Sequence, residues 1–261
     1  VGRVVLSFSG GVDSSVLARM ISNSGCDVLL CVVGLEGCQD IAVAEDSAEE
    51  LGLDIEVRSL RTDGIVDYVR RVVYAIEESD VMKVGVGLPL YAASETVGCK
   101  EVRLIFSGQG SDELFCGYNR YLAVLERLGH DGLGEEVWGD VLRMHEVNLQ
   151  RDDAVTAANG VNLEVPFMDF DLVGAAMAFP VSLNVRSSHD PLRKWVLRRM
   201  AERLGLSRRI VNMPKKSAQY GSGVDRALRQ IARTEGFRSV GEYLNSVFCE
   251  VFEWKFEGCS V

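Results

Sequence analysis

Short apolar runs alternate with helix-like stretches along the first half of the chain, and this alternation restricts the fold more than any other feature. The run Val28–Val33 is apolar at every position, which is typical of a strand in a parallel sheet covered on both faces. Strands that alternate with helices of this length predict βαβ units. The sequence therefore predicts an α/β fold, a parallel doubly wound sheet followed by a helical C-terminal half. The predicted strands are Val4–Phe8, Val28–Val33, Asp54–Arg58 and Val102–Phe106, and the predicted helices between them are Ser14–Ser24, Ile41–Leu51 and Ile65–Glu78.

After Glu113 the pattern changes to helical periodicity with little strand signal. We expect an α/β region at residues 1–115 and a helical region at residues 116–261, packed together as one domain because no low-complexity linker separates them. The aromatic tail Val247–Phe256 is expected to pack on the body, with a homodimer contact as the alternative. The predicted helices are Leu114–Leu128, Glu136–Asn159, Asp171–Phe179, Leu192–Leu204 and Val224–Arg233, with breaks at Gly129–Gly134, Pro166, Pro180 and Pro214.

The composition argues against several classes of protein. The 261 residues carry 28 Lys and Arg against 38 Asp and Glu, a net charge of -10, which does not suit a general binder of nucleic acid or membrane surfaces. No apolar run approaches the roughly 18 residues that cross a bilayer. Seven cysteines without a CxxC pair, and only three histidines, argue against a zinc site and indicate reduced thiols. We therefore expect a cytoplasmic protein that does not contact a membrane.

Positive charge is concentrated in one segment. Between Pro191 and Arg233 there are 12 Lys or Arg against two acids, Glu202 and Asp225. Two interpretations stay open: a solvated basic face, or a site for a polyanion, either a nucleoside triphosphate or an RNA backbone.

The strongest motif is the loop Ser9–Ser15 (SGGVDSS), between the first strand and the first helix. Its glycines allow a sharp turn that brings backbone N–H groups against an anion, and its serines begin a helix whose positive end faces the same point. Asp13 would repel a phosphate unless Mg²⁺ lies between them. The loop lacks the lysine of a GxxxxGK[ST] motif. The alternative is an ordinary N-capping turn.

A second glycine-rich loop, Ser107–Tyr118 (SGQGSDELFCGY), follows the fourth predicted strand. Ligands of open α/β sheets bind at the carboxyl ends of the strands. Asp112 could therefore join Asp13 as a second oxygen ligand of one Mg²⁺. The alternative is an acidic cluster that caps a helix.

The first loop resembles the SGGxDS signature of the PP-loop ATP pyrophosphatases, which have the adenine nucleotide alpha-hydrolase type of fold. The second is similar to the SGxGSDExxxGY motif of the asparagine synthetases and the related β-lactam synthetases. We expect this chain to be the synthetase domain of that family. Four weaker segments match it in the same order: Asp80–Tyr91, which resembles the segment before the helix that precedes the second loop, Arg151–Asp169, Lys194–Arg198 (KxxLR) and Pro214–Gly223.

This resemblance implies ATP and Mg²⁺ as cofactors and cleavage of ATP between its α and β phosphates. The first loop would hold the departing pyrophosphate, and a lysine would neutralise charge on the phosphates. For Lys194 the alternative is a lysine on a helix surface. The implied residues are Phe8, Ser9, Gly10, Gly11, Asp13, Ser14, Ser15, Val33, Gly34, Leu35, Ser107 and Gly108 for the nucleotide, Asp13 and Asp112 for the metal, and Lys215, Lys216 and Lys194 for catalysis.

The sequence departs from the family pattern on the side of the acceptor. Gln109 stands where the family commonly has Glu or Tyr, and Asn162 and Glu164 replace an acid and a base. Ala154 stands where a basic residue is often found, and an Arg expected near Gly85 is absent. An amide does not act as a base at neutral pH. These changes indicate an altered acceptor, lost activity, family variation or a local misalignment.

The expected function is an ATP-dependent, AMP-forming ligase that adenylates a carboxylate, aspartate or an analogue, for attack by ammonia or an amine. The sequence shows no glutaminase domain, so the nitrogen would be free ammonia, an amine, or ammonia from a separate glutaminase subunit. Two alternatives are a PP-loop enzyme that modifies tRNA and a nucleotide-binding subunit that has lost catalysis.

Overall fold

A five-stranded sheet with all strands parallel forms the centre of the computed structural model, which describes residues 3–99, 102–214 and 221–253. Its strand order is β3-β2-β1-β4-β5. The chain moves from β1 outwards to β3 and then returns to the other side of β1. The strand order thus reverses between β1 and β4, which is where open α/β sheets bind ligands. The strands are β1 Arg3–Ser7, β2 Asp27–Leu35, β3 Ile55–Leu60, β4 Leu104–Phe106 and β5 Asn162–Glu164.

Helices cover both faces of this sheet, which confirms the predicted parallel doubly wound fold. On β1, Val5 faces one apolar core and Leu6 faces the other. The first core also contains residues of α3, α4, α11 and α12, and the second contains residues of α1, α2, α9 and α10. The helices are α1 Val12–Asn23, α2 Gln39–Leu51, α3 Ile65–Ile76, α4 Val81–Gly98, α5 Ser111–Leu114, α6 Arg120–Met144, α7 Gln150–Ala157, α8 Phe170–Met177, α9 Trp195–Arg203, α10 Arg208–Val211, α11 Val224–Thr234 and α12 Val240–Glu253.

Two elements differ from the sequence interpretation. Asp80–Tyr91, expected to precede a helix, lies almost entirely within α4, which Asp80 caps by accepting a hydrogen bond from the backbone N–H of Lys83 at 2.8 Å. Strand β5, where little strand signal was found, pairs with β4 over its whole length. The second half of the chain therefore contributes a strand to the sheet of the first half. The predicted break at Gly129 is confirmed, since Gly129 interrupts α6 with φ +69°.

The C-terminal helix α12 packs against α3. Val247 is buried, and the ring of Phe252 stacks on that of Tyr74 at a centroid distance of 5.9 Å. The predicted packing of the tail on the body is confirmed up to Phe252, and the side chains after it lie outside the described residues. Over the part of the chain that the structure describes, no helix has the length and apolar character that crossing a bilayer would require.

Candidate active site

The first loop leaves β1 and turns into α1 through Gly10. Gly10 has φ +73°, and a Cβ there would lie 2.7 Å from the backbone oxygen of Val43. The carbonyl of Gly10 accepts a hydrogen bond from Ser47 Oγ at 3.1 Å, which fixes the loop to α2. The N-cap residue of α1 is Gly11, and no side chain caps the helix. This arrangement disfavours an ordinary N-capping turn and suits an anion at the helix N-terminus.

The second loop follows β4 in the same way. Gly110 has φ +90°, and a Cβ there would overlap the sulfur of Met168. The backbone N–H of Gln109 donates to Ser107 Oγ at 3.3 Å, while no side chain caps α5. The acids of this loop therefore do not serve as a helix cap.

One lysine joins the two loops. Lys194 Nζ lies 2.7 Å from Asp13 Oδ2 and 2.7 Å from Asp112 Oδ1, so these two oxygens are no farther apart than twice that distance. The same ammonium donates to Ser111 Oγ at 3.0 Å. The Lys194 side chain is only 1% exposed, which rules out the alternative of a lysine on a helix surface. The predicted metal pair and one predicted catalytic lysine thus converge at one point.

A tight turn before α9 positions this lysine. Arg193 and Lys194 both have positive φ, +50° and +55°, and Asp190 holds the turn by accepting hydrogen bonds from backbone N–H groups, including that of Arg193 at 3.2 Å. Although burial opposes it, hydrogen bonds from these groups and from the Trp195 indole lower the pKa of Asp190. Arg198 donates to the backbone carbonyls of Leu192, Arg193, Val211 and Met213. Sequence reasoning missed Asp190, Arg193 and Arg198, although the last lies in the KxxLR motif.

A cavity of about 160 Å³ opens between the two loops at the carboxyl ends of β1, β2 and β4. Eight of the predicted residues line it: Phe8, Ser9, Asp13, Ser14, Val33, Ser107, Gly108 and Asp112. Gln109, which the sequence analysis placed on the acceptor side, lines it as well, and so do residues that were not predicted: Ser7, Cys31, Val32, Pro89 and Ser222.

The remaining predicted residues lie elsewhere. Ser15 is fully buried and donates to the carbonyl of Gly10, so it stabilises the loop from behind. Leu35 lines a separate cavity with Glu36 and Arg61. Gly10, Gly11 and Gly34 are not part of the cavity wall, and Lys215 and Lys216 lie outside the described residues.

Comparison with known proteins decides the family. The family model "Asparagine synthase" matches residues 2–130 and 125–246. This chain belongs to the asparagine synthase family. A putative glutamine-hydrolysing asparagine synthetase of Methanocaldococcus jannaschii is 35% identical over 93% of this chain and 50% of its own length. The asparagine synthetase of Brassica oleracea is 30% identical over 83% of this chain and 38% of its own length.

These results confirm the resemblance carried by the two loops, and they also show that the chain spans half or less of the length of these relatives. Among solved structures, it is similar to a predicted tRNA methyltransferase subunit of M. jannaschii (TM-score 0.39, 14% identity, 80% of this chain and 92% of that one). NMN synthetase of Francisella tularensis gives a TM-score of 0.41 at 12% identity, with 99% of this chain and 87% of that one covered. These two similarities are too distant to bear on function.

The asparagine synthase motif residue Glu113 is turned away from the cavity. It is 3% exposed, and its Oε1 accepts hydrogen bonds from Tyr118 Oη at 2.6 Å and from Asn148 Nδ2 at 3.0 Å. Burial raises the pKa of Glu113. The carboxylate thus belongs to a buried network, which continues through Arg151 to Asp152.

Three of the departures from the family pattern, Gln109, Asn162 and Glu164, fall in two places, while Ala154 and Gly85 lie on α7 and α4. Gln109 lies on the cavity wall, and its side chain is hydrogen-bonded to the buried Asp152. Burial raises the pKa of Asp152, although Arg151 and this hydrogen bond oppose the shift. Asn162 and Glu164 are exposed on the edge strand β5 and do not line the cavity. Among the described residues, the cavity wall contains no carboxylate besides Asp13 and Asp112.

Proposed function

We propose that this chain is an ATP-dependent, AMP-forming ligase that activates a carboxylate as an acyl-adenylate for attack by ammonia or an amine. One observation carries this proposal. Asp13 and Asp112, which follow two neighbouring strands, converge on the ammonium of Lys194, and they do so beside a helix N-terminus that no side chain caps. Such a site suits a polyphosphate that arrives with a divalent cation.

The donor set fits Mg²⁺. This ion prefers oxygen ligands and is commonly held by one or two carboxylates together with substrate phosphates. Asp13 and Asp112 supply two carboxylates, and within the described ranges no cluster of three or more His, Cys, Asp or Glu offers a fuller metal site. When bound, the ion would neutralise charge on the phosphates.

Residues of the chain itself would bind and orient the nucleotide. The first-turn N–H groups of α1 and the hydroxyls of Ser9 and Ser14 would hold the pyrophosphate end. Phe8 and Val33 would contact adenosine, and Lys194 would keep the carboxylates together. Lys215 and Lys216 stay predictions, as charges that stabilise the phosphates during attack.

Within the described ranges, the cavity wall beside Gln109 holds no carboxylate other than the two proposed metal ligands, Asp13 and Asp112, while the neighbouring Asp152 is buried and paired with Arg151; this bears on the acceptor step. A protonated amine does not attack an acyl-adenylate, and an amide does not remove its proton at neutral pH. We therefore propose that the nitrogen arrives already neutral, as ammonia from solution or from a glutaminase partner. The rate of AMP formation should then rise with pH as the donor loses its proton.

The test measures both products of ATP cleavage. Incubation with ATP, Mg²⁺, aspartate and ammonium should release AMP and pyrophosphate, and other carboxylates can be compared in the same assay. Asp13→Asn should abolish this release, because it removes one of the two charges that would hold the metal. The matched control is Asp153→Asn, an exposed position on α7 outside the cavity. Full activity in the Asp13 variant, or release of ADP and phosphate instead, would refute the proposal.

A further inference from the structure

Lys194 directs its buried ammonium at the Asp13–Asp112 pair and at Ser111. An ammonium has three donors. Here three oxygens lie within hydrogen-bonding distance of Nζ: Asp13 Oδ2, Asp112 Oδ1 and Ser111 Oγ, at 2.7, 2.7 and 3.0 Å. Burial of an ammonium is tolerated when such partners are present. The lysine is therefore a fixed part of the carboxylate pair.

The lysine and the cavity lie on different sides of that pair. Asp13 and Asp112 line the cavity, and their side chains are 16% and 14% exposed. Lys194 does not line it and is 1% exposed. A metal ion that enters from the cavity would therefore reach the carboxylates from the open side, while the ammonium stays on the protein side.

The backbone turn that carries Lys194 is itself held in place by hydrogen bonds. The Arg193 side chain donates to the carbonyl of Gly117 at 3.1 Å, and Asp190 accepts from the backbone N–H of Arg193. Arg198, itself buried, donates to the carbonyl of Arg193 at 2.7 Å. The fixed turn and the burial of the side chain together keep the ammonium beside the carboxylates.

We propose that Lys194 keeps the affinity of the Asp13–Asp112 pair for free divalent cations low, so that the metal binds tightly only when nucleotide phosphates accompany it. The positive charge of Lys194 cancels half of the charge of -2 on the two carboxylates, and it repels a divalent metal ion that binds beside it. A bound polyphosphate adds negative charge and compensates for that repulsion. This inference rests on the metal assignment in the proposed function.

The test measures binding of Mn²⁺, the probe metal, to the whole chain in the absence of nucleotide. Electron paramagnetic resonance detects the bound ion. Lys194→Met and Lys194→Gln remove the charge, and we expect either variant to bind Mn²⁺ about tenfold more tightly than the unmodified chain. Lys194→Arg keeps the charge and should stay within about twofold. Lys83→Met is the matched control. It removes a lysine of α4 that pairs with Glu78, and it should leave the affinity for Mn²⁺ unchanged.

A second measurement uses a non-hydrolysable ATP analogue. The analogue should tighten Mn²⁺ binding strongly in the unmodified chain and less in the neutral variants, because the repulsion that it compensates is gone. Equal Mn²⁺ affinity in the unmodified chain and a folded neutral variant would overturn the inference, as would the absence of Mn²⁺ binding in all of them. If neither neutral variant folds, looser Mn²⁺ binding with the analogue than without it in the unmodified chain would overturn it. Release of AMP and pyrophosphate is measured separately, so failure of the ligase proposal is distinguishable from failure of this one.

Discussion

Gly117 allows the second loop to approach Lys194 closely. A Cβ at this position would overlap Asp112 Oδ1 and Lys194 Cε, although the φ of Gly117 is not positive. The constraint is therefore one of space rather than of backbone conformation. The backbone carbonyl of Gly117 also accepts a hydrogen bond from Arg193 Nε.

We expect Gly117→Ala to separate Asp112 from Lys194. Inserting a methyl group into such a packed position costs about 1–3 kcal/mol of unfolding free energy. Release of AMP and pyrophosphate should fall at least about tenfold, since small displacements of catalytic groups have effects of this size. Denaturant unfolding and the product assay measure both. Gly174→Ala on α8, where a Cβ meets no atom within 4 Å, is the control: it should leave activity unchanged and should raise the free energy of unfolding by about 0.5–1 kcal/mol, since Ala favours a helix over Gly. Unchanged activity in the Gly117 variant would contradict the assigned geometry.

The turn before α9 shows how one element organises the site. Its anchor, Asp190, is 4% exposed and accepts from three backbone N–H groups and from Trp195 Nε1 at 2.6 Å. This turn delivers Lys194 to the carboxylates, so its stability and the geometry of the site are linked.

Asp190→Asn should lower the free energy of unfolding at pH 7 by about 1–3 kcal/mol, because hydrogen bonds to a charged acceptor are lost. The pKa of Asp190 is lowered in the folded protein, so its charge stabilises the fold above the pKa of the unfolded chain, near 4. That contribution disappears as the pH falls through the folded pKa. Urea unfolding of both proteins between pH 7 and pH 3 should show a difference that is constant down to about pH 4 and then shrinks. A difference that grows towards acid pH would contradict this.

The elements that the sequence predicted are those whose signal is local. Val28–Val33 is a continuous apolar run, and the strand β2 contains it. The first part of helix α4, up to Tyr91, was missed because Pro89 and several glycines hide its periodicity, whereas burial of its residues in the first core stabilises it. Strand β5 was missed because its three residues have no apolar pattern, and only pairing with β4 makes them a strand.

The same distinction holds for the site. The glycine-rich loops that contain Asp13 and Asp112 were recognisable because their residues are contiguous. The sequence named Lys194 but could not place its ammonium between the two carboxylates, since that position depends on the positive φ of a turn stabilised by distant groups. Glu113 looked like part of the acidic motif, but the fold buries it under Tyr118.

At the scale of the whole molecule, six of the ten Lys and Arg described in the segment 191–233 are either buried or paired with an acid. Arg193, Lys194 and Arg198 are buried around the site. Arg199, Arg209 and Arg229 pair with Glu202, Glu50 and Asp225. The local excess thus contributes mainly to the folded structure of this region, and it gives little support to an extended RNA-binding face.

The two cores on either side of the sheet stabilise the molecule as a whole. Leu244 on α12 is fully buried in the first core. Leu244→Ala should therefore lower the free energy of unfolding by about 2–5 kcal/mol, through lost apolar contact and a cavity. Leu142→Ala on α6, where the side chain is 62% exposed, is the matched control and should change it by less than about 0.5 kcal/mol. Denaturant titration compares them, and equal effects of the two substitutions would contradict the packing of α12.

The alignment of β4 beside β1 is defined by only two pairs of residues, Val5 with Ile105 and Leu6 with Phe106. A slip of β4 by two positions would keep the same side chains on the same faces, yet it would carry the second loop about 7 Å along the strand direction. Asp112 would then be out of reach of an ion held by Asp13. Variants that loosen this short pairing should therefore yield folded protein whose nucleotide chemistry has been lost.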